Sequence, residues 1–305
     1  MDFSELEAFL HLTETLHFGR ASSAAHLGAS ALSRIVMRLE QQVGKQLVDR
    51  SRRSIKLTAE GEAFRVFAKE TLARWEDLRS AVGGHEADLT GDLVLYGSTT
   101  AAVAVLPPIL ERFRRKHPRV TIHLRTGDAE SAIERVQSGA ADLAVAVCPD
   151  SIPAGLHTLL LTETELEFVA PKIDCPARTA ALKKRIDWNA VPLIAAERGV
   201  GRKRVEQWFQ ARGVRPNLVA RVLGGEAILG MVALGFGIGV VSRLVIEASL
   251  AGRQVECLPV KPRLDPFQVV LVARRLSLIV RAFLNLAGEA RQVSASPEIQ
   301  RLGDA

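Results

Sequence analysis

Over the first sixty residues the hydrophobic positions recur at helical spacing. Phe3, Leu6, Phe9, Leu10 and Thr13 line one face of a first helix. Two short helices follow between His17 and Val43. Small residues at Ala21-Ser22-Ser23-Ala24-Ala25 allow close approach, Leu27-Gly28-Ala29 reads as the turn, and Ser30 as the cap of the second helix. In that helix Leu32, Ile35 or Val36, and Leu39 face inward, while Ser30, Ser33, Arg34, Met37, Arg38 and Gln41 lie mostly elsewhere. Leu47 and Val48 close the small core after Gly44. Arg50 to Thr58 reads as a basic hairpin with Ile55 and Leu57 turned inward.

Thr58-Ala59-Glu60-Gly61 supplies an N-cap and a first-turn acid, and a helical pattern runs on to Gly83-Gly84. Phe64, Ala68, Thr71, Trp75, Leu78 and Val82 alternate four and three apart, the seam of a two-helix contact with another subunit or with the chain's own second domain. A polar break follows, and from Leu93 strands and helices alternate. Strands are expected at 93–97, 120–124 and 142–147, with helices at 101–116, restarted at Pro107-Pro108, and at 129–137. These make a lobe with a largely parallel sheet. A second lobe starts with 165–169 and continues through strand 193–196, helix 202–212, strand 218–222, helix 226–234 and strand 238–241. Strand 267–273 returns to the first lobe, followed by helix 276–287. The fold class is therefore α/β with an all-α N-terminal part. The expected domains are 1–58, a linker helix over 59–90, a two-lobed domain over 91–292 and a flexible tail over 293–305; lobe I takes 91–161 and 266–292, lobe II takes 162–265.

Composition narrows the function. A chain of 305 residues, 48% hydrophobic and 24% charged, is an ordinary soluble protein with room for two cores. The net charge of +6 is less telling than its placement: Arg34, Arg38, Lys45, Arg50, Arg52, Arg53 and Lys56 face only Glu40 and Asp49 in one segment, a pattern suited to phosphate contacts. Cys148, Cys175 and Cys257 are far apart and odd in number, suggesting neither a disulfide framework nor a zinc site. The N-terminus lacks the basic-then-apolar pattern of a secretory signal. The longest uncharged stretch, Ala227 to Ser242, is glycine-rich and shorter than the roughly 20 apolar residues of a membrane helix. A cytoplasmic protein without a membrane partner is expected.

Two sets of residues carry candidate chemistry. A short helix with hydroxyls and arginines suits the DNA major groove, where arginine pairs bidentately with guanine. The DNA-binding candidates are Arg20, Ser22, Ser30, Ser33, Arg34, Arg38, Arg50, Arg52, Arg53 and Lys56. Ligands of two-lobed α/β domains sit at strand ends and helix N-termini. Ser98, Thr99 and Thr100 end a strand and open a helix, so they can hold a carboxylate or simply cap the helix. Thr126, Cys148, Glu197, Arg198, Gly225 and Glu226 are expected to face them, with Arg198 as counter-charge. An enzyme and a solute-binding protein are the rival readings. Gly235-Phe236-Gly237-Ile238-Gly239 echoes a dinucleotide loop but leads from helix to strand, the reverse of the required order, and the seven histidines are scattered without HExxH.

The order Ala21 to Ala25, a glycine turn, Ser30-Ala31-Leu32-Ser33-Arg34, Leu39-Glu40 and Gly44 resembles the winged helix-turn-helix of LysR-type transcriptional regulators. His17-Phe18-Gly19-Arg20, Ser98 to Ala102, Leu106 to Leu110, Thr126 to Ala129, Trp208-Phe209 and Gly224 to Ala227 are similar to the LysR-type activators of the acetohydroxy acid isomeroreductase gene of isoleucine and valine synthesis. The resemblance implies a wing on the DNA backbone and a linker helix paired between subunits. It implies a homodimer or homotetramer on double-stranded operator DNA, working with RNA polymerase. It also implies acetolactate or acetohydroxybutyrate as a small carboxylate co-inducer, with no other cofactor and no metal.

Overall fold

The computed structural model describes residues 1–50, 55–83 and 89–294 and divides the chain into two compact units, Met1–Glu86 and Ala87–Ala305. The first unit is built on α1 (Phe3–Thr15), α2 (Phe18–Ala24) and α3 (Ala29–Val43), followed by β1 (Val48–Asp49), β2 (Lys56–Leu57) and α4 (Ala59–Gly83). The inward face of α1 is Leu6, Ala8, Phe9 and Leu12 rather than the face carrying Phe3 and Thr13. In α3 the choice falls on Val36: Leu32, Val36 and Leu39 are fully buried, each contributing roughly 1.5–3 kcal/mol. Leu47 and Val48 close this core, and β1 and β2 form an antiparallel ribbon.

The linker helix starts at Ala59, and its first turns pack into the core of the head. Thr58 caps it through its hydroxyl to Gly61 N (2.9 Å), and Phe64 and Ala68 are buried in the same core as α1 and α3. Gly61 lets the helix approach so closely that a Cβ there would lie 2.0 Å from the Leu47 carbonyl oxygen.

The second unit holds two five-stranded sheets of the same design. Lobe I has the order β4-β3-β5-β12-β6, from β3 (Gly91–Gly97), β4 (Val120–Thr126), β5 (Leu143–Val147), β6 (His157–Thr164) and β12 (Phe267–Ala273). Lobe II has the order β11-β7-β10-β8-β9, from β7 (Leu166–Pro171), β8 (Pro192–Ala196), β9 (Asn217–Val222), β10 (Ile238–Ser242) and β11 (Val255–Cys257). In each sheet two pairings are parallel and two antiparallel, which corrects the expectation of a largely parallel sheet. Strand β6, unread in the sequence, carries lobe I to Thr164, beyond the expected boundary at 161.

Between the strands, a π-turn at Ala101–Val105 precedes α5 (Pro107–Lys116), with Pro107 restarting the helix. Further along come α6 (Ala132–Gln137), α7 (Pro176–Ala181), α8 (Gly199–Gln210), α9 (Gly225–Ala233) and α10 (Arg243–Ala248). The final helix, α11 (Leu278–Ser294), continues past residue 293, so the expected tail begins no earlier than 295, outside the described residues.

Candidate functional site

In the N-terminal unit the turn between α2 and α3 pivots on His26, held left-handed at φ 53, and Leu27 N closes it on the Ser22 carbonyl. Gly28 caps α3, its carbonyl accepting from the Ala31 and Leu32 amides. Ser30 therefore lies inside the helix, not at its cap. The preceding helix has an N-cap that sequence reasoning missed: the Nδ1 of His17 accepts from Gly19 N (3.1 Å) and Arg20 N (3.3 Å). That signal stood in the polar residue just before Phe18.

The DNA-binding candidates separate by what their side chains already hold. Ser30 and Arg34 are exposed, and Arg34 has no side-chain partner among the described residues. Ser33 is half-buried on the same helix, and Lys56 is exposed on β2. Arg20 is exposed, with its guanidinium on the Thr15 carbonyl (3.1 Å). Ser22 is not available to DNA: it is buried and its hydroxyl donates to the Gly19 carbonyl. Arg38 donates to the buried carboxylate of Glu5 (2.5 Å), tying α3 to the start of α1. Arg50 donates to Glu40 (3.1 Å) and lies over the Phe18 ring at 5.6 Å. Glu40, read only as an opposing charge, accepts from the Leu47 and Val48 amides at 3.0 and 3.2 Å, fastening the ribbon to α3. Arg52 and Arg53 lie outside the described residues.

The expected subunit seam also divides. Phe64 and Ala68 are consumed by the unit's own core, because α1 offers Phe9 edge-on to Phe64 at 5.1 Å, and they are withdrawn from the seam. Thr71 donates its hydroxyl to the Phe67 carbonyl. Trp75 stacks on Phe3 at 4.8 Å yet stays 40% exposed, and Leu78 is 54% exposed. The side chain of Val82 lies outside the described residues.

In the second unit a cavity of about 160 Å³ lies between the two lobes, with walls that are mostly aliphatic. It brings together Ser98, Thr100, Arg198, Gly225 and Glu226 of the expected set. Thr99, Thr126 and Glu197 are exposed and do not line it; the chain turns at each strand end so that alternate residues face away. Cys148 opens instead onto a different depression beside Pro149 and Gln268. Val145, Val147 and Val205 form part of the wall, and Gly225 is tight because a Cβ would lie 3.0 Å from Val245.

The polar groups of the cleft are joined across it. Ser98 caps the following turn through Ala101 N (3.1 Å). Thr100 is buried, and its amide (2.9 Å) and hydroxyl both donate to the Glu226 carboxylate from lobe II. Arg198 is not a free counter-charge: it donates through Nε (3.1 Å) and its terminal nitrogen (2.5 Å) to Asp128 of lobe I, and also to Ser131 (3.2 Å). That pairing raises the guanidinium pKa above its ordinary value. Glu130, not among the expected residues, sets its carboxylate against Gly199 at the start of α8. Burial, with Asp128 adding to it, pushes its carboxyl above the usual carboxylate value. No short motif marked Glu130; Gly199 is distant from it in sequence.

A three-helix head with an exposed arginine on its third helix and a basic ribbon, followed by a two-lobed domain closed over a small cavity, defines a DNA-binding regulator with a built-in ligand sensor. The chain belongs to the LysR family. Residues 3–62 match the bacterial regulatory helix-turn-helix of that family, and residues 86–292 match the LysR substrate binding domain. The chain is 42% identical to the transcriptional regulator IlvY of Escherichia coli over 82% of its own length and 84% of the relative's. It is 34% identical to the activator IlvY of Haemophilus influenzae over 93% and 98%. Among solved structures the fold matches a full-length OxyR variant of Pseudomonas aeruginosa (TM-score 0.71, 20% identity, 96% and 95% covered). It also matches CbnR in complex with its target DNA (TM-score 0.60, 20% identity, 95% and 100% covered). Among the described residues no helix is long and apolar enough to cross a membrane.

Proposed function

We propose that this chain is an IlvY-like transcriptional activator of isoleucine and valine synthesis, induced by acetolactate or acetohydroxybutyrate. It works in the cytoplasm as a homodimer or homotetramer on operator DNA and recruits RNA polymerase. The observation that carries the reading is the likeness to IlvY over both units, joined to a cavity small enough for a branched hydroxy-keto acid. The roughly 300–1,000 Å³ typical of drug-sized sites would leave such a molecule loose. Exposed Ser30 and Arg34 are the base-reading pair, Lys56 and the wing contact phosphates, and Trp75 and Leu78 supply what α4 offers a second subunit.

Footprinting upstream of the neighbouring isomeroreductase gene, with and without acetolactate at fixed salt, tests this directly. A two-site footprint that changes with acetolactate is expected. A footprint indifferent to it leaves a LysR regulator answering to another small carboxylate, and no specific footprint removes the regulatory assignment. Thr100→Ala is expected to keep operator affinity and lose induction; normal induction in that variant would take Thr100 out of the effector site.

A further inference from the structure

The two lobes hold each other through a swapped pair of carboxylates. β4 ends at Thr126 and β9 at Val222, and four residues beyond each end stands a glutamate, Glu130 in lobe I and Glu226 in lobe II. Glu226 reaches the turn after β3, accepting from the amide and hydroxyl of Thr100. Glu130 reaches the turn after β8, its carboxylate lying against Gly199. Gly199, at φ +95, makes the second contact possible, since a Cβ there would fall 1.8 Å from the Glu130 carboxyl carbon. The same position of each lobe thus clasps the equivalent turn of the other, a reciprocity that follows from their shared strand order.

Charge decides what this means for a ligand. The ionisable side chains lining the cavity are Asp128, Glu130, Arg198 and Glu226, three acids against one base. Arg198 is engaged by Asp128, and the Thr100 donors are occupied by Glu226. A carboxylate entering beside Glu226 meets like charge and finds the Thr100 donors already taken; one that takes its place meets neither difficulty.

We infer that Glu130 and Glu226 form a reciprocal latch between the lobes, and that a small anionic effector acts by replacing the Glu226 carboxylate at Thr100. The latch stands on the contacts alone, whereas the replacement rests on the effector reading above. Because an effector shifts the balance only through its differential affinity for latched and released forms, exchanging one carboxylate for another is a sensitive way to set the threshold.

Amide hydrogen exchange on the full-length protein tests the latch without any ligand. Glu226→Ala is expected to speed exchange at Val200 as well as at Thr100, and Glu130→Ala to do the converse. If each substitution deprotects only its own partner, the latch is overturned. Calorimetry with acetolactate, and with lactate as a plainer 2-hydroxy acid, tests the replacement. Glu226→Ala should bind about tenfold more tightly than the natural chain, with Glu226→Gln, which keeps an acceptor oxygen and drops the charge, in between. The Gln variant also serves if the Ala variant does not fold. Equal affinity in all three overturns the replacement. If none binds either acid while exchange still couples Thr100 to Val200, the latch stands and the effector reading falls, taking the replacement with it.

Discussion

The recognition helix and the cleft use charge in opposite ways. On α3, Arg34 points outward with no partner among the described residues, while Arg38 on the same helix and Arg50 beyond it are bound to Glu5 and Glu40. In the cleft the one basic group and all three acids are drawn into contacts between the lobes, Asp128 with Arg198, Glu226 with the Thr100 amide and Glu130 against Gly199. An exposed arginine without a partner in the described chain is visible from its type and its place on the helix alone. A cleft that answers to a ligand must balance its own groups first, and that balance is set by contacts distant in sequence.

The largest effect that would sharpen this contrast comes from neither charge. Gly61→Ala drives a methyl into the Leu47 backbone, which cannot yield as a side chain can. A loss of about 3 kcal/mol in the N-terminal unit is expected, read as a lower denaturant midpoint with DNA binding lost; an unchanged midpoint would disprove the close approach. Next, Arg34→Ala should weaken operator binding by roughly 1–3 kcal/mol and relax specificity, with little change in stability. Arg38→Ala should mainly cost stability, by taking the guanidinium from the buried Glu5 carboxylate, which keeps only the Asp2 amide and the N-terminal amine. Titrations against operator and random DNA distinguish the two, and equal loss of specificity in both would erase the distinction between the free and the tied arginine.

The smallest effect is the pH dependence of Glu130. Its carboxyl is raised in the folded state, so the folded protein holds the proton more firmly than the unfolded chain does. Stability therefore falls as pH climbs from the ordinary carboxylate value through the raised one, and the cost is fully present above it. Glu130→Gln keeps the side chain's shape beside Gly199 and removes that cost. At neutral pH it should gain on the order of 0.5 kcal/mol, small because one side of the residue faces water, and the gain should vanish below the carboxylate range. A gain that persists in acid would contradict the assignment.

What was legible in the sequence follows the same division. The apolar run Phe267 to Ala273 marked a strand at those limits, and the spacing of Leu32, Ile35 or Val36, and Leu39 marked the inner face of α3. Periodicity reports burial along one element, and there it worked. It said nothing of which surface does the burying, so Phe64 and Ala68 read as a subunit seam when α1 already covers them. Strand β6 escaped because His157-Thr158 and Thr162-Glu163-Thr164 flank its apolar centre with polar residues, as befits an edge strand paired on one side. In the cleft, Ser98 and Thr100 were found from strand-end chemistry, but Glu130 and the Arg198–Asp128 pair depend on which loops the two sheets bring face to face.

The strand order of lobe I has a consequence for the sequence of events on the ribosome. β12 lies between β5 and β6, and β6 has no other partner in the sheet, although more than a hundred residues of chain separate Val147 from Phe267. As the chain emerges, the DNA-binding unit is complete by Gly83 and the strands of lobe II by Cys257, while lobe I waits for the last strand and helix. A nascent or truncated chain that ends before Phe267 carries the helix-turn-helix unit entire and no closed cleft, so the part that meets DNA is made before the part that encloses a ligand.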